Sequence, residues 1–431
     1  MFLLAQAALD PWFYFMVAVV FSCSYFSIRK YVPTILDPIF FSLFWFSFSV
    51  AVVFYLFLNE HIRPFYFYSF FYMMTLFVTA IVITKNFLVR YAVKTGRNGP
   101  AVFTGNINVL TITTFLFCVL IVLSLVYRWS TTGLAIFSDN PLNDRVEISQ
   151  QSRLVDAVQY CSVFAIAGCT LIFFLARTSL LRAASVSMLG VLFFASFTAG
   201  SKGAVIQFLT SVGIGAIFLV NLDRGRECKK FISVLAFLIL PVGVLYAIAL
   251  LMKMGAQRPV FDIFIRFVSY GDVYAYYFVQ DLYDDLKFKY DFFAYITHVI
   301  TNRFGISPIQ HSIGAELFGR TTGNYGGFGP NPQFVTEGMI MFGIPLAGIY
   351  AIVIGIGCAI VRFVPQLILK NINTLTFFLG VVCLSNLDAL PVDLTLFQAR
   401  ALSMLVFFFP VYFLAVMCAS VLESFSVSPV S

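Results

Sequence analysis

Five cations, one imidazole and two carboxylates, set among glycines and tyrosines, are the residues of this chain with the means to do chemistry. Lys202 stands in the short turn Ala199-Gly200-Ser201-Lys202-Gly203-Ala204 between two apolar stretches. Glycine lets backbone approach a ligand closely, and the helix that follows presents free N–H groups and a dipole that favour an anion. The turn also reads as a plain tight connection whose lysine snorkels to the membrane surface. Arg258, Arg266, Arg303 and Arg320 add permanent charge and a bidentate fork. Several such cations converging on one outer cavity would suit a polyanion such as a pyrophosphate. His311 lies between Arg303 and Arg320, and imidazole is the side chain best suited to taking a proton near neutral pH. Glu337, at the mouth of an apolar span, is the alternative base, because an acid there is costly unless paired or wetted. Asp388, near the end of another span, is a second such acid, and for both a buried pairing with a nearby arginine is the structural reading.

Tyrosines and a glycine-rich run surround these groups. Tyr270, Tyr274, Tyr276, Tyr277, Tyr283, Tyr290 and Tyr295 fall in one aromatic tract. Their spacing fits an amphipathic helix lying on the outer leaflet, or a set of faces on which sugar rings stack. The run from Thr321 to Gln333 is too rich in Gly, Pro and Asn for a regular helix. Irregular backbone beside a membrane is expected to be buried in protein or to line a cavity. Tyr325 and Asn331 in that run, with Asp388, are therefore candidates for contact with a glycan. No metal-ligand cluster is visible, so neither a metal nor any other cofactor is expected, and the cations would take the place of Mg²⁺ on a leaving phosphate.

Positioning these residues requires a membrane scaffold. The chain of 431 residues is 60% hydrophobic and 11% charged, with a mean hydropathy of +0.92, far from the roughly 25% charged share of soluble domains. Eleven apolar stretches of spanning length are predicted, at about 12–28, 38–58, 65–84, 107–127, 154–176, 184–199, 204–221, 231–252, 338–361, 374–390 and 401–422. The expectation is an all-α polytopic bundle forming a single membrane domain over 1–431, with one large loop at 253–335 inserted between spans 8 and 9. Alternate connections carry 14 basic residues, among them Arg29, Lys85, Arg182, Lys229 and Lys370, and the intervening short ones carry 6. The first set is expected in the cytoplasm, which puts the N-terminus and the large loop outside and the C-terminus inside. The net charge of +7 follows from this loop bias and does not imply nucleic acid. Trp12–Ile28 is followed by Arg29-Lys30 and reads as a retained first span. Cys228 lies in a basic loop, the other seven cysteines lie in spans, and the large loop has none, so no disulfide framework is expected there.

With these residues in place, the chain resembles the Wzy-type oligosaccharide repeat-unit polymerases, which are related to O-antigen ligases. The resemblance rests on Gly200-Ser201-Lys202-Gly203-Ala204 and on Gly326-Gly327-Phe328-Gly329-Pro330-Asn331-Pro332, Glu337-Gly338 and Phe342-Gly343-Ile344-Pro345. The layout of many spans with one large outer loop before the last few agrees, and Arg303 precedes Gly314 by a spacing described in such loops. These motifs cover about a tenth of the chain. Lys202 stands where the family has arginine, keeping the charge but losing the fork. What the resemblance implies is a GT-C-like bundle in the bacterial inner membrane and a metal-independent, inverting glycosyl transfer at its periplasmic face. The implied donor is a glycan on undecaprenyl pyrophosphate, the acceptor a lipid-linked repeat unit, with membrane lipid and a chain-length regulator protein as further partners. An O-antigen ligase shares fold and donor. A lipid-linked oligosaccharide flippase is the rival from another class, and would show paired half-repeats, interrupted helices and charges at mid-membrane.

Overall fold

The structure, a computed structural model, describes residues 2–96, 101–133, 153–198, 204–253, 255–302, 306, 309–323, 325, 329–367 and 371–426. Helices account for nearly all of it, as the length of the apolar runs demands. The first half comprises α1 (Phe2–Ala7), α2 (Pro11–Ile28), α3 (Pro38–Leu58), α4 (Pro64–Lys94), α5 (Ile107–Thr132), α6 (Arg153–Tyr160), α7 (Ser162–Leu175), α8 (Ser179–Thr198), α9 (Ala204–Asn221) and α10 (Gly225–Lys253). Then come α11 (Pro259–Val268), α12 (Asp272–Phe278), α13 (Tyr283–Leu286), α14 (Phe292–Thr301), α15 (Ile313–Thr322), α16 (Gln333–Leu367), α17 (Thr374–Ser385) and α18 (Leu394–Ser426). Local sequence fixes several starts. Asp10-Pro11 and Asp37-Pro38 each put a carboxylate at the N-cap, accepting from Trp12 N (2.9 Å) and Ile39 N (3.0 Å), with proline at the first helical position. Asn373 and Thr376 cap α17 reciprocally.

Among the described residues, nine helices are long and apolar enough to cross a membrane. The protein is thus an all-α polytopic membrane protein. The expected spans at 204–221 and 374–390 correspond to shorter apolar helices, α9 and α17. The expected span 338–361 is longer and not straight. Gly343 (φ 65, ψ 168) breaks α16 into arms 333–342 and 344–367, a conformation essentially confined to glycine. The arms fold back on one another: a Cβ on Gly338 would lie 3.1 Å from Ala347, and Phe342 packs on Tyr350 at 5.6 Å between ring centres. Phe334, at the start of the first arm, stacks on Phe77 at 4.5 Å, about 20 Å along α4 at 1.5 Å per residue. The chain therefore enters α16 deep in the bundle, rises to Gly343 and turns back.

The segment 253–335 also departs from a surface loop. Phe267 packs on Phe44 and Phe48, Gly271 abuts Ser49 and Val52, and Tyr274 meets Phe70. Phe278 then stacks on Tyr66, close to the start of α4. The α11–α12 pair is thus a hairpin dipping to the middle of α3 and returning. Tyr274, Tyr277 and Tyr295 are at most 1% exposed, so they form neither an outer-leaflet helix nor open stacking faces. Their rings bring large apolar area, and the hydroxyls of two find partners, Tyr274 on Gln333 Oε1 (2.8 Å) and Tyr295 on Glu337 (2.9 Å).

Two hydrophobic cores result. The larger joins α1–α4, the α11–α15 insertion and α16; the other joins α5–α10, α17 and α18. Contacts tie together loops expected on one side. Asp37 pairs with Arg362 (2.5 Å), Asn106 donates to Glu423 (2.6 Å), and strand Val102–Phe103 pairs in parallel with Asn371–Ile372. At the opposite end Arg63 pairs with Asp281 (2.5 Å), which also accepts from Tyr66.

Candidate functional site

The candidate residues fall into separate groups. The first is built on α15, whose N-cap Ser312 accepts from Ala315 N at 3.3 Å. One turn in, buried Glu316 accepts from Lys289 (2.6 Å) and Arg320 Nε (2.8 Å), and Arg320 Nη1 continues to Asp285 (3.1 Å). Burial would raise the Glu316 carboxyl, but the hydrogen bonds from Arg320 and Lys289 outweigh it and hold it below its ordinary value. The hydrogen bond to Glu316 in turn raises the Arg320 guanidinium. Arg320 is therefore engaged by two carboxylates.

His311 precedes this helix. Its carbonyl accepts from Tyr290 OH at 2.9 Å, and its ring lies 5.3 Å from that of Tyr325, tilted by 35°. Tyr325 lies directly over Gly319, which has no side chain to displace it, and stays 41% exposed. Below it, Gly314 and Gly329 cross with their backbones in contact: a Cβ on Gly314 would strike the Pro330 carbonyl, and one on Gly329 the Gly314 carbonyl. This interlock is the physical role of the glycines at 314 and 329. It seats an imidazole beside an accessible aromatic face. Asn331 is exposed in the irregular segment that leads from the interlock to Gln333.

Glu337 is elsewhere. It is fully buried in the first arm of α16 and accepts from Tyr295 OH (2.9 Å), Tyr350 OH (2.7 Å) and Leu394 N (3.1 Å). Three donors satisfy it without a cation, so the expected arginine partner is not what holds it. It pins both arms of α16 to α14 and to the start of α18. Gln333 braces the same region, donating to Ser49 (3.0 Å) and the Tyr270 carbonyl (2.5 Å) at the hairpin tip.

Asp388 lies in the turn after α17 and pairs with Arg400 at 3.4 Å, but its side chain is 48% exposed, so this is not the buried pair expected. Arg258 and Arg266 are exposed on and before α11. That helix packs on α1, α3 and α10, whereas α15 packs on α12, so these arginines are not gathered with Arg320. Lys202 and Arg303 lie outside the described residues. Among the described residues no group of three His, Cys, Asp or Glu could hold a metal. Arg400 was legible only as a loop charge, and Asn386 not at all. The available signal was the cluster of polar residues Asn386, Asp388, Asp393, Gln398 and Arg400 between two apolar stretches.

Comparison with protein-family models, with curated proteins and with solved structures finds no match to this chain.

Proposed function

We propose that this protein is a membrane glycosyltransferase of Wzy type, polymerising oligosaccharide repeat units carried on undecaprenyl pyrophosphate. It would act at the periplasmic face of the bacterial inner membrane on a GT-C-like bundle, with inversion and without a metal. The observation that carries this reading is the His311–Tyr325 pair beside the Gly314–Gly329 interlock. An exposed aromatic face can stack on a sugar ring, and the adjacent imidazole can take the proton of an attacking hydroxyl. The attacking oxygen bonds to the anomeric carbon, the C–O bond to pyrophosphate breaks, and the leaving group departs as the anion. Lys202 and Arg303 are the cations proposed for that charge, since Arg320 is committed to Glu316 and Asp285. The apolar helices suit two polyprenyl tails. Electrophoresis of surface polysaccharide from a deletion strain tests the reading: single repeat units without longer bands are expected. Polymer retained on the lipid carrier would instead indicate an O-antigen ligase.

The interrupted helix at Gly343 and the buried Glu337 favour a second reading, a lipid-linked oligosaccharide transporter. Purified protein that lengthens glycans in detergent, with no second compartment, excludes it.

A further inference from the structure

A cavity of about 330 Å³ lies between α3, α7, α9 and the α17–α18 turn, inside the membrane domain. Its wall carries polar groups that the surrounding apolar packing does not explain. Asn386 is 1% exposed, and its amide nitrogen donates to the Val382 carbonyl at 2.8 Å. That bond fixes which way the amide points and leaves Oδ1 as an acceptor with no hydrogen-bond partner among the described residues. Arg400 Nε is likewise unpartnered among the described residues, although Nη1 reaches Asp388 and the guanidinium lies 5.9 Å from the ring of Tyr160. The Asp388 side chain is 48% exposed and that of Arg400 29%, so both can be reached from the cavity. Buried polar atoms are as a rule satisfied, and two residues of this one lining, Asn386 and Arg400, each keep an atom without a partner among the described residues, which marks a place for a ligand.

The charges decide which ligand. Arg400 is already balanced by Asp388, so the cavity offers no surplus positive charge among its described residues, and an anion would meet the Asp388 carboxylate. A cation would meet Arg400. The free positions are an acceptor (Asn386 Oδ1), a carboxylate with unused lone pairs (Asp388) and a donor (Arg400 Nε), which together match vicinal hydroxyls, each both donor and acceptor. Trp45 and Tyr160 supply aromatic surface, and Gln207 adds an amide. We infer that this cavity binds a neutral pyranose ring, with Asn386, Asp388 and Arg400 on its hydroxyls and Trp45 and Tyr160 beside its apolar face. The inference deepens the transferase reading by naming where a sugar unit of the lipid-linked glycan rests, but its test requires no transfer.

The experiment is saturation-transfer NMR on the full chain in nanodiscs of glycan-free lipid. The probes are methyl pyranosides of a hexose, a 6-deoxyhexose and an N-acetylhexosamine, with inorganic pyrophosphate as the anion. At least one pyranoside should receive saturation, and Asn386→Ala and Asp388→Ala should reduce that signal tenfold or more. Asn386 also holds Val382, so its loss could disturb the fold. Thr210→Phe is therefore the second variant, because Thr210 lines the cavity and its hydroxyl, among the described residues, bonds its own helix through Gln207 O. It should abolish the signal by filling the space while the thermal midpoint holds. Absence of any pyranoside signal, or a signal that survives Thr210→Phe, overturns the inference. So does pyrophosphate binding that these substitutions remove, which would assign the cavity to an anion. A pyranoside signal with normal glycan ladders in the deletion strain would retain the cavity site and remove the transferase.

Discussion

Replacing Gly314 by alanine should undock the segment 329–333 from α15 without unfolding the protein. The added Cβ meets the Pro330 carbonyl well inside van der Waals contact, and the obstacle is backbone, which no rotamer change can clear. Overpacking of this kind costs about 1–3 kcal/mol. The strand can move away from α15 more easily than α15 can leave the core, where Ile313 and Leu317 are buried. The cost should therefore appear in the docking equilibrium, as a factor of roughly 5 to 150 at 1.4 kcal/mol per tenfold. Hydrogen exchange read by mass spectrometry is the assay. Gln333 N and Phe334 N, bonded to Val392 O (2.8 Å) and Pro391 O (2.9 Å), should lose protection by about that factor, while amides in α7 and α9 keep theirs. Gly190→Ala is the matched control: nothing lies within 4 Å of its added Cβ, and alanine in a helix interior is favoured by roughly 0.5–1 kcal/mol. Protection at 333–334 within twofold of the parent chain in Gly314→Ala would refute the interlock as the element that docks 329–333 on α15.

Further outcomes follow from the same geometry. Because the Glu316 carboxyl is held low in the folded state, the Lys289–Glu316–Arg320 cluster should stabilise the fold above the ordinary carboxylate range. That stability should fade as pH drops through the folded value, and Glu316→Gln should flatten this acid limb in thermal melts between about pH 3 and 7. Arg362→Met leaves Asp37 buried without its partner and should cost about 3–5 kcal/mol, read as thermal midpoint, with much of the loss recovered by Asp37→Asn in the same chain. On the transferase reading, His311→Ala should lower turnover by roughly 10²–10⁴-fold with an unchanged melt. Near-normal turnover takes the base role from His311. A cysteine at Gly323 should react with an impermeant thiol reagent from outside intact cells and one at Gly96 should not; the opposite result inverts the threading.

The helical membrane scaffold was legible because lipid-facing stretches must be apolar along their whole length, as in α2, α5 and α18. The hairpin of α11 and α12 was not. Its α12 arm is buried in protein rather than lipid, so Asp272 and tyrosine hydroxyls are tolerated there, while Arg266 on α11 stays exposed; both dilute the apolar signal. The reversal at Gly343 was hidden for another reason: one glycine in an apolar run looks the same whether the helix continues or turns back. At the site, the glycines around 314–329 were readable as irregular backbone, but which one faces which depends on two segments meeting in space. Glu337 was singled out as a costly acid; that two tyrosines and a backbone amide satisfy it could not be read from spacing. Arg400 was counted for orientation, where only its sign matters, and its neighbours appear once α17 and α18 are side by side.

The pairing of α4 with α16 has a bearing on how the chain is made. α4 finds its main partner in a helix that begins more than two hundred residues later. At about 5–20 residues per second, α4 stands in the bilayer for roughly 10–50 s before α16 is synthesised. Its waiting face is cheap to leave in lipid: Phe77, Leu76 and Ala80 meet acyl chains about as well as they meet protein. The acid arrives on the late partner, together with Tyr350, and Tyr295 has preceded it by only a few dozen residues. Ordered this way, the Tyr295 hydroxyl is already made when the Glu337 carboxylate emerges and Tyr350 follows 13 residues later, so the late half brings the acid together with its own donors.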